Sequence, residues 1–259
     1  MIDFHNRAAL ITGGTRGLGR AISLALAKRG AWVAMNYRRN EEAAAEALAE
    51  ARKFSPRSIL VKADLEDEAA ARALVAAAAR EFGRVDIFIA NAAATAFKPL
   101  LETKPHNLAR TFNLSVGSFV AAVQEASRTM PSGGRVVMIS GIDSVRHLPG
   151  HAVLGAAKAA LESMVRDFAF ELGPRGITVN GINLGYIDTE SARFYSSYLK
   201  DDFDSFSRVC AERSALKRLP TLEEIANFVT LVCAPEASYL TAQTIMVDGG
   251  LTLSFPAAR

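Results

Sequence analysis

The stretch LITGGTRGLGRA, residues 10–21, joins a short apolar segment to a helical pattern through a turn rich in glycine. Gly13, Gly17 and Gly19 lie in this turn, where the absence of side chains lets backbone N–H groups and the start of a helix approach a pyrophosphate. A tight turn without a ligand is the alternative, because a glycine motif alone is a weak signal. The strand pattern before the turn and the helix pattern after it favour a dinucleotide-binding turn.

Short apolar segments alternate with helical patterns along the rest of the chain. They have the composition of strands buried on both faces, and they are residues 8–12, 31–37, 58–63, 85–90, 135–140, 177–182 and 244–248. This order predicts a doubly wound α/β fold of the Rossmann type, in which a mostly parallel sheet carries helices on both faces. Since the 259 residues contain no linker-like segment, we expect a single domain over residues 1–259.

The composition argues against several classes of protein. The chain has 30 Lys and Arg against 27 Asp and Glu, and the net charge of +3 is too small and too dispersed for a nucleic-acid surface. Cys210 and Cys233 form no metal or redox motif, which indicates a reduced compartment without disulfides. No apolar run reaches the roughly 18 residues of a membrane span, and no secretion signal precedes the first strand. We therefore expect a cytoplasmic protein without a nucleic-acid or membrane partner.

The end of the second predicted strand bears on which dinucleotide is bound. A carboxylate at this place accepts the ribose hydroxyls of NAD, whereas arginine favours the 2′-phosphate of NADP. Here Tyr37 is followed by Arg38 and Arg39, with no acid before Glu41, and Arg16 in the glycine turn adds a further positive charge. The pattern predicts NADP(H), against the alternative that these arginines are solvated surface charges.

The sequence resembles the short-chain dehydrogenase/reductase superfamily over essentially its whole length. The matching segments are TGGTRGLG (12–19), DL (64–65), NAA (91–93), Asn113 in FNLSVG, Lys158, VN (179–180), IDT (187–189) and VDGG (247–250). The resemblance implies a seven-stranded sheet in the order 3-2-1-4-5-6-7, and a homotetramer or homodimer. With the glycine turn and the strand end, it implies that the cofactor-binding residues are Gly13, Thr15, Arg16, Gly17, Leu18, Gly19, Tyr37, Arg38, Asp64, Leu65, Asn91, Ala92, Ala93, Lys158, Ile187 and Thr189.

Three places depart from the superfamily pattern. Most members have a tyrosine four residues before the lysine and a serine thirteen residues before that tyrosine, whereas these positions here hold Leu154 and Gly141. The usual Pro-Gly after the sixth strand is Leu184-Gly185. A ketone reductase needs the tyrosine to protonate its alkoxide, so the departures argue against an ordinary ketone reductase.

One branch of the superfamily accounts better for these departures. The segments NAAATAFKPL, DSVRHLPGHAVLGAAKAALESMVR and VNGINLGYIDTESARFY resemble the enoyl-acyl-carrier-protein reductase III and cyclohexenylcarbonyl-CoA reductase branch, whose tyrosine lies seven residues before the lysine. Positions four and seven before Lys158 share its face of a helix, because they differ from it by about +40° and −20° around the axis. The shift suits an enoyl thioester, whose charge develops on an oxygen three bonds from the carbon that accepts hydride. The resemblance thus implies an acyl thioester of CoA or acyl carrier protein as substrate.

The position seven residues before the lysine is His151, so the tyrosine of the branch is absent as well. Imidazole donates protons near neutral pH, which makes His151 a candidate acid; the alternative is a surface histidine at a helix start. We expect Lys158 to hold the nicotinamide ribose and to stabilise the enolate. The resemblance implies that Asn113 kinks the fourth helix and orders a water near the lysine. Ser140 and Ser144 flank the position of the missing serine, and either is a candidate hydroxyl.

Residues 188–219 match the mobile substrate loop of the superfamily. Its aromatic residues give it an apolar face, either for an acyl chain or for docking an amphipathic helix on the sheet: they are Phe194, Tyr195, Tyr198, Phe203 and Phe206. Tyr195 and Tyr198 are also candidate acids. The basic residues Lys98, Lys104, Arg193 and Lys200 suit the phosphates of either carrier. His147 and His151 lack a third ligand, so no metal is expected.

Three functions remain open at this point. The first is NADPH-dependent reduction of an enoyl thioester in fatty-acid or polyketide metabolism, with His151 as proton donor. The second is a carbonyl reductase or dehydrogenase of the superfamily that uses another acid. The third is a catalytically impaired homologue that binds NADP(H) and acts as a partner subunit or sensor.

Overall fold

Seven parallel strands form one sheet in the computed structural model, which describes residues 2–199 and 202–253. The strands are β1 (Ala8–Ile11), β2 (Trp32–Tyr37), β3 (Ile59–Lys62), β4 (Ile87–Ala90), β5 (Arg135–Gly141), β6 (Thr178–Leu184) and β7 (Thr244–Val247). They lie side by side in the order β3-β2-β1-β4-β5-β6-β7. The predicted doubly wound α/β fold and its strand order are confirmed.

The helices connect these strands in the alternation that the sequence predicts. They are α1 (Gly17–Ala27), α2 (Glu41–Arg52), α3 (Glu68–Phe82), α4 (Pro105–Phe112), α5 (Ser118–Thr129), α6 (Ala152–Leu172), α7 (Glu190–Leu199), α8 (Phe203–Arg213) and α9 (Leu222–Cys233). A π-helical turn, Asn113–Gly117, separates α4 from α5. The structure therefore has an irregularity where the resemblance implied a kinked helix. No helix among the described residues is both long and apolar enough to span a membrane.

Two apolar cores lie on opposite faces of the sheet. Successive strand residues point to opposite faces, so Leu10 and Phe88 belong to one core, while Ile11 and Ile89 belong to the other. The first core also contains side chains of α3, α5 and α6, and the second contains side chains of α1, α2 and α9. Helices therefore cover both faces, as a parallel sheet requires.

The strand order changes direction at β1, which pairs with β2 on one side and with β4 on the other. In an open parallel sheet, ligands bind outside the carboxyl ends of the strands at this switch point. The segments that follow β1, β4, β5 and β6 meet there, and they contain most of the predicted site residues.

A buried carboxylate joins the other end of β1 to β4 and β5. Asp86, just before β4, accepts from the backbone N–H of Ala8 at 2.9 Å and from the Arg7 guanidinium at 2.9 Å. It also pairs with Arg84, and its backbone carbonyl accepts from the N–H of Arg135 at 2.8 Å. The side chain of Asp86 is 1% exposed, so these partners replace water almost completely. This network fixes the amino ends of the strands that flank the switch point.

We expect Asp86→Ala to lower the free energy of unfolding by about 1–3 kcal/mol, because the substitution leaves a buried N–H without an acceptor. Urea denaturation measures the change. Glu81→Ala, at an exposed position of α3, is the control and should shift stability by less than about 0.5 kcal/mol. Equal, small effects of both substitutions would contradict this role of Asp86.

Candidate active site

The glycine turn after β1 is closely packed against the segment that follows β4. The backbone N–H groups of Asn91 and Ala92 donate to Thr12 Oγ1 at 2.9 and 3.0 Å, and the Asn91 side-chain amide donates to the carbonyl oxygen of Thr12 at 3.0 Å. A Cβ atom at Gly19 would overlap the carbonyl oxygen of Gly13, so α1 can approach this close only with glycine there. The predicted residues Asn91 and Ala92 thus lie beside the glycine turn, and Ala93 is exposed next to them.

The start of α1 offers an open anion-binding position. Arg16 precedes the helix without a side-chain capping bond, and the first turn contains no acid. By contrast, α2 and α3 are capped by Asn40 and Asp67 and have glutamates in their first turns. A Cβ at Gly17, the first residue of α1, would meet no atom of the described residues within 4 Å. The space beside the first turn of the helix is therefore open.

The free N–H groups and the positive end of the helix dipole fit the pyrophosphate of a dinucleotide. Thr15 and Leu18, which were predicted to contact the cofactor, are 5% and 6% exposed. Their side chains therefore support the turn from inside.

The arginine after β2 is held by two acids that follow β3. Arg38 pairs with Asp64 and Glu66, both at 2.9 Å, and Glu66 also pairs with Arg110 of α4 at 2.7 Å. In the sequence, Glu41 is the first acid after Arg38, yet in the structure Glu41 pairs with Lys62. The sequence analysis did not predict the contacts of Glu66 with Arg38 and Arg110. The position of Glu66, two residues after Asp64, was the available signal that it lies near Arg38.

Arg38 nevertheless supplies a planar cation at the end of β2, where a 2′-phosphate would be expected to lie. Arg39 is exposed, and Leu65, the other predicted contact after β3, is 5% exposed. The arrangement therefore offers one fixed guanidinium, between two carboxylates, for the adenosine end of NADP(H).

The second predicted arginine of this region has a different partner. Arg16 pairs with Glu190, the first residue of α7, at 3.0 Å, and both side chains are exposed. The structure therefore does not bring Arg16 and Arg38 together through a shared acid. The pair between Arg16 and Glu190 instead joins the glycine turn to the start of the predicted substrate loop.

The predicted nicotinamide contacts lie just before that loop. Ile187 is half-buried against the second core, and Thr189 Oγ1 accepts from the N–H of Ala192 at 3.2 Å at the start of α7. The segment after β6 therefore leads directly from the predicted carboxamide contacts into α7.

Lys158 is buried and turned towards β5. Its Nζ donates to the carbonyl oxygen of Ile139 at 2.5 Å. Burial lowers the pKa of Lys158, because the charged form loses hydration, whereas the carboxylates of Asp143 and Glu162 act in the opposite direction. A cavity of about 10 Å³, which has room for about one water, lies beside Lys158 and Ser115. Ser115 Oγ has no hydrogen-bond partner among the described residues.

Asn113, predicted to order a water near the lysine, is exposed at the start of the π-helical turn. Among the described residues, no hydrogen bond joins Asn113 directly to Lys158. Its predicted role therefore stays a prediction.

A second carboxylate gathers both candidate serines. Glu162 Oε1 accepts from Ser140 Oγ at 2.5 Å, from Ser144 Oγ at 2.8 Å and from the Asn183 amide at 2.7 Å. The sequence reasoning missed Glu162, although its position one helical turn after Lys158 places it on the same face. This geometry favours a structural role for Ser140, whose hydroxyl is already donated to a carboxylate.

His151 lies inside the site, close to an acid and two aromatic rings. Its Nδ1 is 3.1 Å from Asp143 Oδ2, and the exposed fractions of the two side chains are 14% and 8%. The ring stacks on Phe97, with centroids 4.8 Å apart, and meets the edge of Tyr195 at 4.3 Å. Its Nε2 is buried and has no hydrogen-bond partner within residues 2–199 and 202–253. His151 is therefore not the exposed histidine of the alternative interpretation.

The carboxylate of Asp143 lies against the position of the missing serine. A Cβ at Gly141 would be 2.8 Å from Asp143 Oδ1, which is closer than such atoms approach. On the other side, a Cβ at Gly155 would overlap the carbonyl oxygen of Asp143. Two glycines thus make room for Asp143, which the sequence reasoning did not single out.

An aromatic wall faces His151. Phe97 contacts Phe194, Tyr195 and Tyr198 of α7, with ring centroids 5.6, 5.1 and 5.8 Å apart. The Tyr195 hydroxyl donates to the carbonyl oxygen of Pro149 at 3.0 Å, and desolvation is the main cause that raises the pKa of Tyr195 to about 12. Tyr195 is therefore a poor proton donor as it stands.

The predicted substrate loop, residues 188–219, contains the two short helices α7 and α8. Tyr186, just before the loop, and Tyr195 of α7 each contact Phe206 of α8. Lys200, one of the basic residues considered for carrier binding, lies outside the described residues. Within the described ranges there is no group of three His, Cys, Asp or Glu side chains suited to a metal ion.

Known proteins share this fold and much of this sequence. A family model described as enoyl-(acyl carrier protein) reductase matches residues 13–252. The 1-cyclohexenylcarbonyl-CoA reductase of Streptomyces collinus is 39% identical over 252 residues, which are 97% of this chain and 89% of the relative. A hydroxynaphthalene reductase-like protein of Metarhizium robertsii is 32% identical over 251 residues, 94% of each chain.

A solved structure agrees as well. A short-chain dehydrogenase from Burkholderia cenocepacia in complex with NADP superposes with a TM-score of 0.88 at 31% identity, covering 96% of this chain and 98% of the other. The predicted NADP(H) cofactor agrees with this complex. From the family model, the reductase relatives and the fold, the chain belongs to the short-chain dehydrogenase/reductase superfamily and is an oxidoreductase.

Proposed function

We propose that the protein is a cytoplasmic enzyme that reduces the carbon–carbon double bond of an enoyl thioester with NADPH, in fatty-acid or polyketide metabolism. The observation that carries this proposal is the largely buried imidazole of His151, seven residues before Lys158, one of whose ring nitrogens has no hydrogen-bond partner among the described residues. The ketone-reducing pattern is missing, because Leu154 and Gly141 occupy its tyrosine and serine positions. The similarity to a cyclohexenylcarbonyl-CoA reductase supports the same reaction class.

The side chains of this chain have distinct tasks in that reaction. NADPH, when bound, supplies the hydride that reduces the β-carbon of the thioester. Lys158 contributes positive charge where the enolate develops. His151 donates a proton to the enolate, whose oxygen lies three bonds from the reduced carbon. Phe97 and the rings of α7 exclude water from the acyl group.

The carrier of the acyl group is CoA or an acyl carrier protein. Both carry phosphate groups, and the cations Lys98, Lys104 and Arg193 belong to segments that border the site. Of these, Arg193 already pairs with Asp188 at 2.8 Å.

A carbonyl reductase that uses a loop tyrosine is the weaker candidate. One relative, the hydroxynaphthalene reductase-like protein, has a name of that class. However, the Tyr195 hydroxyl is bonded to the Pro149 carbonyl, and its pKa is raised to about 12. An NADP(H)-binding homologue without activity is the third candidate. Single-turnover oxidation of NADPH with enoyl-CoA and ketone substrates distinguishes the three.

We expect NADPH to bind more tightly than NADH by about 1–3 kcal/mol, because a guanidinium forms charge-assisted hydrogen bonds with a 2′-phosphate. Arg38→Ala should remove most of this difference and leave NADH affinity nearly unchanged. Fluorescence titration measures both affinities. The neighbouring Arg39→Ala, at an exposed position, is the matched control. Equal affinities for the two cofactors in the parent protein would refute the assignment.

We expect His151→Ala to lower kcat for an enoyl-CoA by about 10²–10⁴, the usual contribution of a positioned acid. His151→Tyr should keep or raise the activity, because a phenol on the same helix face reaches the same enolate oxygen. NADPH affinity should change little in both variants, which separates loss of chemistry from loss of binding. If His151→Ala turns over as fast as the parent, the histidine is not the acid.

We also propose that the protein is a homotetramer or homodimer. Phe170 near the end of α6 is 80% exposed, which is unusual for a large apolar side chain within a helix. Light scattering at micromolar concentration should give a multiple of 27.7 kDa, and Phe170→Asp should lower it. Phe54→Asp, at a 47% exposed position after α2, is the control and should leave the mass unchanged. A monomeric parent would contradict the proposal.

A further inference from the structure

The carboxylate of Asp143 lies between His151 and the position of the missing serine, Gly141. Its Oδ2 is 3.1 Å from His151 Nδ1, and its Oδ1 lies towards Gly141, where most superfamily members have their serine. Resting on the proposed function, we propose that Asp143 is the positioning residue for His151. The two side chains then form one proton-delivering unit in place of the usual serine and tyrosine.

The position of Asp143 is determined by packing on both sides. It lies in the 3-10 turn Ile142–Ser144, directly after β5, and this turn packs against α6. Neither Gly141 nor Gly155 could carry a side chain without contact with Asp143 that is too close. A buried carboxylate held in this way fixes the direction of its hydrogen bond to His151.

The hydrogen bond determines which nitrogen of His151 faces the substrate. A carboxylate only accepts, so Nδ1 must carry a proton in this pair. Phe97 and Tyr195 fix the plane of the ring by stacking and edge contacts. Nε2 is buried and unpartnered in the described part of the chain, and such an atom is costly unless a ligand satisfies it. Nε2 is therefore the atom that donates to the enolate.

Groups from three elements surround the ring. Asp143 is the acid on the turn after β5, and α6 contributes Lys158, whose charge Asp143 also stabilises. From α7 the ring meets Tyr195, and Tyr198 lies beyond it against Gly150. The donor form of the imidazole carries a proton on each nitrogen, and Asp143 accepts from Nδ1–H in that form.

The proton balance follows from this arrangement. The proton on Nε2 passes to the enolate oxygen, and the imidazole becomes neutral while Nδ1–H stays bonded to Asp143. The enol that forms takes a proton from water at its α-carbon and loses the proton on its oxygen to water, which leaves the saturated thioester. Solvent then restores the proton on Nε2. Asp143 stays unprotonated throughout and acts only through the histidine.

Asp143→Asn tests the charge of this pair, because the amide oxygen can still accept from Nδ1–H. We expect kcat for an enoyl-CoA to fall by about 10- to 100-fold. KM for the enoyl-CoA should change by less than about threefold, because Asp143 acts on the donor and not on the substrate. NADPH affinity should stay within about twofold. Asp167→Asn, at an exposed position of α6, is the matched control and should change none of these values.

The same substitution in a His151→Tyr background separates positioning from structure. A phenol has no ring nitrogen that needs an acceptor, so Asp143→Asn in this background should change kcat by less than about threefold. Equal losses in both backgrounds would show a structural role and overturn the proposal.

A spectroscopic measurement covers the case in which Asp143→Asn does not fold. In the parent protein with ¹⁵N-labelled histidine, the neutral form of His151 should carry its proton on Nδ1; a proton on Nε2 would overturn the proposal. The signal is assigned by its loss in His151→Tyr. This measurement needs no substrate, so the tautomer can be read even if the parent fails to reduce enoyl thioesters, which would refute the proposed function instead.

Discussion

The parallel pairing of β1 with β4 is the constraint on which the site depends. Ile11, the last residue of β1, lies opposite Ile89, one residue before the end of β4, so the two strands end at the same edge of the sheet. Thr12 then accepts from two N–H groups after β4, and the Asn91 amide bonds back to the glycine turn. A shift of one residue would separate these partners and turn each side chain to the other face of the sheet. Asp86 holds the opposite ends of the same strands.

Around Lys158 and His151, two carboxylates organise the polar groups of the candidate site. Glu162 binds both serines and the amide of Asn183, and Asp143 lies where a serine side chain would begin. The two acids also counter the burial of Lys158. The centre is therefore more strongly charged than a tyrosine–serine site, and each of its charges lies close to one of opposite sign.

The fold could be predicted from the sequence because its signals are local. Apolar strand segments and the glycine turn report on neighbours within a few residues. The site was predicted only in part, because its decisive partners come from distant segments. Nothing near His151 in the sequence indicates that Phe97 and Tyr195 would enclose it. Likewise, Ser140 looked like a free hydroxyl until packing placed Glu162 beside it.

The short distance between Gly141 and the Asp143 carboxylate sets two arrangements of the site against each other. A serine Cβ at position 141 would lie 2.8 Å from Asp143 Oδ1, so the carboxylate would have to turn away to admit it. Turning the carboxylate changes the position of Oδ2, which is 3.1 Å from His151 Nδ1. A serine at position 141 and the present contact between Asp143 and His151 are therefore alternatives in this geometry.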